Sequence, residues 1–491
     1  MSNDSAGSQV DDFAQLQAQA AAPESAEHAM PSRAALLLPP PGQSPPLHET
    51  LDIAELLAAS PGASRRSTDA QAQFWRGAKW SPDGSHVLLQ RESHILDLCA
   101  LVASDPGAAS GSTAASRLCL KHVLSVSSPS PLLSYVWYPF ASHAQPATWC
   151  FAFGARDVPV RLVDAYAGKT RASYPIEDHV ERFVGPQALA FSLDGTRLYA
   201  GHATSLSVFE LSFPGSAPRT MALTPSRRPQ PGVDPAQRGL VSALAVGWSV
   251  TSEEEMEELV AVGTFAGTVG IYAPARGRKA EKCLVAGWRE TERRGVTQLL
   301  FHPAAPHILL LSSRHDSSIR ALDLRYLAQQ PDFLSPAPAA ASLGTFVRRA
   351  GTSQRLAFDV GASGTRLVAG DVKGTVAVWD VDLNAVEGEE ARFGDAVRNE
   401  THEWPPLASW SAAQDSLGAA LLHPSLPLLL TVSGARHWDA GAAARDSSES
   451  SESESELEAA LPPSRRSAGY CTHDSAARLW DLSGRPDNPT A

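Results

Sequence analysis

From Phe74 onward the chain repeats one short unit, and a chain built from such units folds by stacking them. Each cycle opens with an apolar run that ends on a Pro or Asp-Gly turn. Lys79-Trp80-Ser81-Pro82-Asp83-Gly84 is matched by Ala190-Phe191-Ser192-Leu193-Asp194-Gly195, by Phe301-His302-Pro303, by Leu422-His423-Pro424 and, more loosely, by Trp137-Tyr138-Pro139. Phe358-Asp359-Val360 with Gly364-Thr365 fills the same slot, and only Ala245-Val246-Gly247 is degenerate. A second apolar run, a small or polar turn and a third run follow. The third run closes on Leu96-Asp97, Val163-Asp164, Phe209-Glu210, Tyr272-Ala273, Leu322-Asp323, Trp379-Asp380 or Trp480-Asp481. Short runs of Val, Leu, Phe, Tyr and Trp punctuated by Gly and Pro are strand-and-turn chemistry, so the sequence predicts an all-β chain of seven cycles.

The cycles resemble the WD40 repeat, which implies a seven-bladed WD40 β-propeller in which ring closure leaves only short, protected sheet edges. Successive endings lie 46 to 101 residues apart, against roughly 40–45 for a bare blade, and the surplus is expected in loops. The largest falls between Leu430 and Cys471. The resemblance assigns structural roles to the hairpin acids Asp157, Asp316, Asp371 and Asp474, to the pairs Trp379-Asp380 and Trp480-Asp481, and to His179 as the partner histidine. Residues 1–68, rich in Ala, Gln, Ser and Pro, read as a disordered tail. Residues 69–491 read as the propeller, with 436–468 a disordered acidic insertion in blade seven. Inside the tail, Leu47 to Leu57 has the apolar spacing of a short docking helix. The strand that closes the ring is expected from Gln71 to Arg76.

Forty-one Lys and Arg against 53 Asp and Glu leave a net charge of −12, which argues against nucleic-acid binding by bulk charge. Any RNA contact must be local, and arginine suits it because one side chain binds phosphate and stacks on bases. The candidate RNA or partner contacts are Arg156, Arg289, Arg325, Arg348 and Arg349, from a wider set with Arg293, Arg294, Arg314 and Arg320. Five cysteines without a CxxC pair suggest neither a disulfide framework nor a zinc site. With no secretory leader and no uncharged 18-residue apolar span, a secreted or membrane-spanning chain is not expected. Catalysis is not expected either. His302-Pro303 and His423-Pro424 are repeat positions, no GxSxG is present, and Gly168-Lys169-Thr170 lacks the upstream glycine of a phosphate loop. Glu253 to Glu258 has no histidines at ligand spacing and reads as a solvated loop. The sequence therefore implies no enzyme, cofactor, metal, small-molecule substrate or membrane partner. Ser451, Ser453 and Ser455 each have a glutamate three residues on, the pattern of acidophilic-kinase sites. Each phosphate would add about −1.5 to −2 charges, and the tract is expected to recruit basic partner proteins.

Particular stretches resemble the telomerase Cajal body protein family: Phe74 to Gly84, Asp164 to Tyr174 followed by His179, Val296 to Pro303, Leu322-Asp323-Leu324-Arg325, Phe358-Asp359 and Leu422 to Leu429. The similarity covers about residues 74 to 482. It implies a nuclear scaffold, in the Cajal body or nucleoplasm, that binds a small nuclear or Cajal-body RNA or telomerase RNA, together with ribonucleoprotein proteins, in assembly or localisation. A fungal-type branch of the same family implies a splicing or spliceosome-assembly scaffold instead. From another class, Asp323-Leu324-Arg325 resembles the acid-x-Arg ending by which some WD40 proteins serve as substrate receptors of a cullin-type ubiquitin ligase.

Overall fold

The computed structural model describes residues 36–40, 43–59, 73–104, 117–224, 236–250, 256–274, 284–290, 292, 294–327, 331–381, 402–438 and 470–484. Blade one shows how the repeat folds. Trp75–Trp80, His86–Arg91, Ile95–Ala103 and Leu118–Ser127 pair as an antiparallel meander. Its first turn needs Gly84 at φ +72, where a side chain would strain the backbone, and Asp83 accepts the Ser85 amide at 3.0 Å. The same meander recurs in residues 132–174, 188–222, 241–289, 296–347, 358–411 and 417–481, and the seven sheets form a seven-bladed β-propeller. Second strands such as Ile308–Ser313 and Leu428–Ser433 are buried at every position. They read as continuous apolar runs because neighbouring blades cover both faces. Trp75, Val87 and Leu89 of blade one thus share a core with Leu421, Leu430 and Val432 of blade seven. Among the described residues no helix is long and apolar enough to cross a membrane.

In three blades the residue just after the first strand fastens that blade to the next. His423 donates from Nε2 to the Gly84 carbonyl at 2.8 Å, while its Nδ1 accepts the Ser425 and Leu426 amides at 3.1 and 2.9 Å. Across the ring, His302 makes the same bond to the Gly364 carbonyl at 2.8 Å. A Cβ on Gly84 or Gly364 would collide with these rings, and one on Gly195 would stand 2.6 Å from the Tyr138 hydroxyl. The glycine of this turn is therefore also a socket for the preceding blade.

Several expectations are corrected. The ring is closed by Leu47–Asp52, which pairs with Ala476–Asp481 from Leu47↔Trp480 to Asp52↔Ala476. The helix Ile53–Ala59 follows it. Trp75 and Arg76, assigned to closure by the sequence, begin the first strand of blade one instead. Residues 36–40 and 43–59 hence belong to the propeller rather than to a tail, and the Leu37 amide bonds the Leu482 carbonyl at 2.8 Å. The remainder of the tail lies outside the described residues. So do positions 439–469 of the acidic insertion, including Ser451, Ser453 and Ser455. The insertion's ends are ordered as the hairpin His437–Trp438 with Tyr470–Cys471.

Leu96-Asp97 does not end a strand. Asp97 is buried within Ile95–Ala103, held by Arg91 and by Ser125 Oγ at 2.6 Å. His179 is exposed in the link between blades two and three and, among the described residues, joins no Trp or Ser network, so it does not act there as the partner histidine. Blade four is intact, its first two strands being the long hairpin Val241–Val250 and Met256–Thr264. Glu258, read as a solvated loop acid, instead reaches blade three and binds Arg197 at 3.1 Å and the Tyr199 hydroxyl. The expected hairpin acids sit between second and third strands. Asp316 accepts the Ser318 amide at 3.0 Å, Asp371 the Thr375 amide at 2.8 Å, and Asp474 the Ser433 hydroxyl at 3.1 Å. Asp157 is exposed at φ +58. Trp480 donates to Thr431 Oγ1 at 3.0 Å, whereas the Trp379 indole N–H is buried without an acceptor among the described residues. Asp380 pairs with Arg366, and Asp481 accepts the Ser483 amide at 2.7 Å.

Candidate nucleic-acid interface

In an antiparallel meander the first and third turns open on one face of the ring. The second turn and the link to the next blade open on the other, here called the hairpin face. This sorts the expected arginines. Arg156 lies in the second turn of blade two, Arg289 ends the outer strand Leu284–Arg289 of blade four, and Arg349 lies in the link from blade five to six. All three are on the hairpin face. Arg325 follows the third strand of blade five and is on the opposite face, so the five do not form one rim. Asp323 also engages it, at 3.0 Å to Nε and 2.7 Å to Nη2, so the acid-x-Arg ending carries an internal ion pair.

Arg348 is corrected from a surface contact to a buried support. Its guanidinium donates to the carbonyls of Gly370 at 3.2 Å and Leu356 at 2.9 Å, and burial lowers its pKa to about 10. Arg293 lies outside the described residues. Arg294 pairs with Glu292 at 2.5 Å, and Arg320 with Glu290 and, at 3.3 Å, with Asp316.

On the hairpin face, Arg76 and Arg355 reach the central cavity. Arg314, in the second turn of blade five, lies over the Phe265 ring in the corresponding turn of blade four, 3.8 Å from its centroid. Arg355, just before the first strand of blade six, donates to the Ser242 carbonyl at 2.6 Å and the Gln187 carbonyl at 3.3 Å. Burial, then the charges of Arg314 and Arg76, lower Arg355 to about 10, and Arg355 and Arg76 both line the cavity. Arg76 pairs with Glu92 at 3.3 Å. Arg156, Arg314, Arg349 and Arg355 have no carboxylate partner among the described residues.

The cavity below has a volume of about 740 Å³ and is walled by the inner strands of all seven blades. Lys79 points its ammonium at the Tyr135 ring, 5.3 Å from the centroid, and burial and then Arg355 lower it to about 8. Lys79 lines the central cavity, and the protein around it solvates its charge less well than bulk water would. Asp359 accepts the Leu422 amide at 3.0 Å and the Val360 amide at 2.9 Å, yet burial outweighs these bonds and raises it to about 7.

Guanidiniums pre-ordered by carbonyls and an aromatic ring are suited to phosphate and to stacking against a base. Arg314 was legible in the sequence as a candidate contact; Arg355, Lys79 and Phe265 were not. One signal was present: period-2 alternation in Arg355-Leu356-Ala357-Phe358-Asp359 puts Arg355 and Asp359 on the same side as Ala357, facing the cavity.

No family model matches the chain. Among curated proteins it is similar to Telomerase Cajal body protein 1 of Mus musculus, 28% identical over 414 residues covering 84% of this chain and 67% of that protein. Similarity to the Homo sapiens protein of the same name is 28% over 415 residues, 84% of this chain and 65% of that protein. For the Rattus norvegicus protein it is 30% over 363 residues, 74% and 59%. The aligned chain thus spans about two thirds or less of the length of these relatives.

Proposed function

The chain belongs to the telomerase Cajal body protein family, and on that premise we propose that it is a non-enzymatic nuclear scaffold of the Cajal body. In this reading it holds a small nuclear, Cajal-body or telomerase RNA together with ribonucleoprotein proteins. The RNA lies on the hairpin face, with Arg156, Arg314, Arg349 and Arg355 at its phosphates and the Arg314–Phe265 pair against a base. Arg289 extends the same face. Arg325, on the opposite face and engaged by Asp323, serves a protein contact, and Ser451, Ser453 and Ser455 are modified by an acidophilic kinase. The observation that carries the reading is that Arg156, Arg314, Arg349 and Arg355 lie on one face of the ring without a carboxylate partner among the described residues, in a chain of net charge −12.

Crosslinking of the full chain in its own cells, followed by RNA sequencing, tests it. Enrichment of small nuclear, Cajal-body or telomerase RNA is expected, and recovery of none of these above background would refute the reading. Replacing Arg314 and Arg349 by Gln removes about two phosphate contacts. The slope of log affinity against log salt should flatten by roughly 1.4 for a single-stranded site.

A further inference from the structure

The second turn of blade seven brings three metal-ligating side chains together from distant parts of the sequence. Asp415 lies in the link from blade six to seven, His437 opens the hairpin at the base of the acidic insertion, and His473 follows that hairpin's return strand. One ligand atom from each lies within 4.8 Å of the others. The Asp415 carboxylate is buried, and its Oδ2 faces His437 Nε2 at 2.9 Å. The same oxygen accepts the Ala435 amide at 3.2 Å and the His473 amide at 3.3 Å. The His437 and His473 rings lie nearly parallel, with centroids 3.7 Å apart.

We propose that Asp415, His437 and His473 form a binding site for a divalent transition-metal ion of the zinc type. Two imidazoles and one carboxylate are a borderline-soft set that suits such an ion and not magnesium or calcium, which take oxygen ligands. The long backbone bonds to Asp415 Oδ2 are the outer-shell support that a ligating carboxylate needs. In the stacked arrangement the lone pairs of the two rings run parallel and do not converge. Ligation therefore requires one ring to turn, and His473, exposed at the surface, is the one free to do so. The hydrogen bond from His437 Nε2 is then replaced by a bond from the metal, with the ring proton carried on Nδ1.

The placement gives the site a purpose. His437 and His473 flank positions 439–469, so a bound ion would brace the two strands of the hairpin at the base of that segment. The site is invisible to spacing rules because its members come from three separate segments, with 35 residues between the two histidines.

The test uses the full chain after removal of bound metal with a chelator. Titration with Co2+ should give visible d–d absorption at one equivalent per chain, displaced by one equivalent of Zn2+. His473→Ala, an exposed change that leaves the blade intact, should weaken Zn2+ affinity at least tenfold, as should His437→Ala. The proposal is overturned if the parent chain takes up no stoichiometric Zn2+ or Co2+ at micromolar concentration, or if both histidine variants bind as tightly as the parent.

Discussion

Closure of the ring by Leu47–Asp52 rather than by Gln71 to Arg76 makes a sharp prediction about Ile53. Its side chain is fully buried, packed with Leu56 against Trp75, Val87, Leu421 and Leu430 at the seam between blades one and seven. Ile53→Ala leaves a cavity that the β-sheet backbones on either side cannot collapse to fill, so the loss belongs to the range of about 2–5 kcal/mol measured for such truncations. Total stability of a domain is about 5–15 kcal/mol, so a single residue outside the recognisable repeats carries a large share of it. Deleting the whole segment also removes the cost of ordering it, which makes the point substitution the cleaner measure. Urea unfolding followed by tryptophan fluorescence should show the midpoint fall while the slope stays constant. A chain beginning at Ser60, which keeps Gln71 to Arg76, should lose the cooperative transition. If that shortened chain unfolds at the midpoint of the full chain, or if Ile53→Ala shifts stability by less than about 0.5 kcal/mol, the closure argument is wrong.

Other outcomes follow from the same geometry. His423→Ala should destabilise by about 2–4 kcal/mol in thermal or urea unfolding, because it empties a buried site and leaves the Gly84 carbonyl and two amides unpaired. Stability should also fall as pH drops below 6.5. Burial holds the pKa values of His86 (about 4), His94, His202, His302 and His423 below the usual 6.5, so the native state binds fewer protons than the unfolded chain and loses ground in acid. Asp359 works the other way between its usual 3.8 and about 7, where the native state keeps a proton that the unfolded chain has lost. Glu49 and Glu290, which burial also raises, act with Asp359, but five histidines against three carboxyls keep the sign, and unfolding midpoints that hold or rise from pH 7 to 5 would contradict it.

The repeat was legible because each blade must solve the same packing problem, and the slot before Pro or Asp-Gly shows the solution. His302 and His423 on the one hand and Tyr138 on the other differ chemically, yet all fill the socket over the next blade's glycine. The closing strand was not legible, because its partner lies at the far end of the chain. Leu47, Leu51 and Leu56 suit one helix locally; Leu56 does lie in the helix Ile53–Ala59, but pairing with Ala476–Asp481 makes Leu47–Asp52 a strand. The arginine site was half legible: charge type could be read, but which face each residue occupies depends on whether its turn is even or odd in the meander. That parity separates Arg325 from Arg156 and Arg349. Burial, which residue type alone cannot reveal, removed Arg348.

The same parity bears on the serine tract. Its hairpin root, His437–Trp438 with Tyr470–Cys471, is the second turn of blade seven and so opens on the hairpin face with Arg76, Arg314, Arg349 and Arg355. A root elsewhere would leave RNA untouched, since exposed charges are screened beyond about 8 Å at physiological salt. Thirty-one residues, positions 439–469, separate the two ends of the hairpin, and at about 3.3–3.6 Å per residue the tract has ample reach to the cavity mouth. Three phosphates would add about 4.5 to 6 negative charges to it. The phosphorylated tract should then act in two ways, recruiting basic partner proteins and competing with RNA for the arginines. Replacing Ser451, Ser453 and Ser455 by Ala should lower recovery of protein partners and raise RNA affinity several-fold at low salt, with the difference shrinking as salt is added. Equal partner recovery and equal RNA affinity at all salt concentrations, with phosphorylation of the parent chain verified by mass spectrometry, would refute both arms.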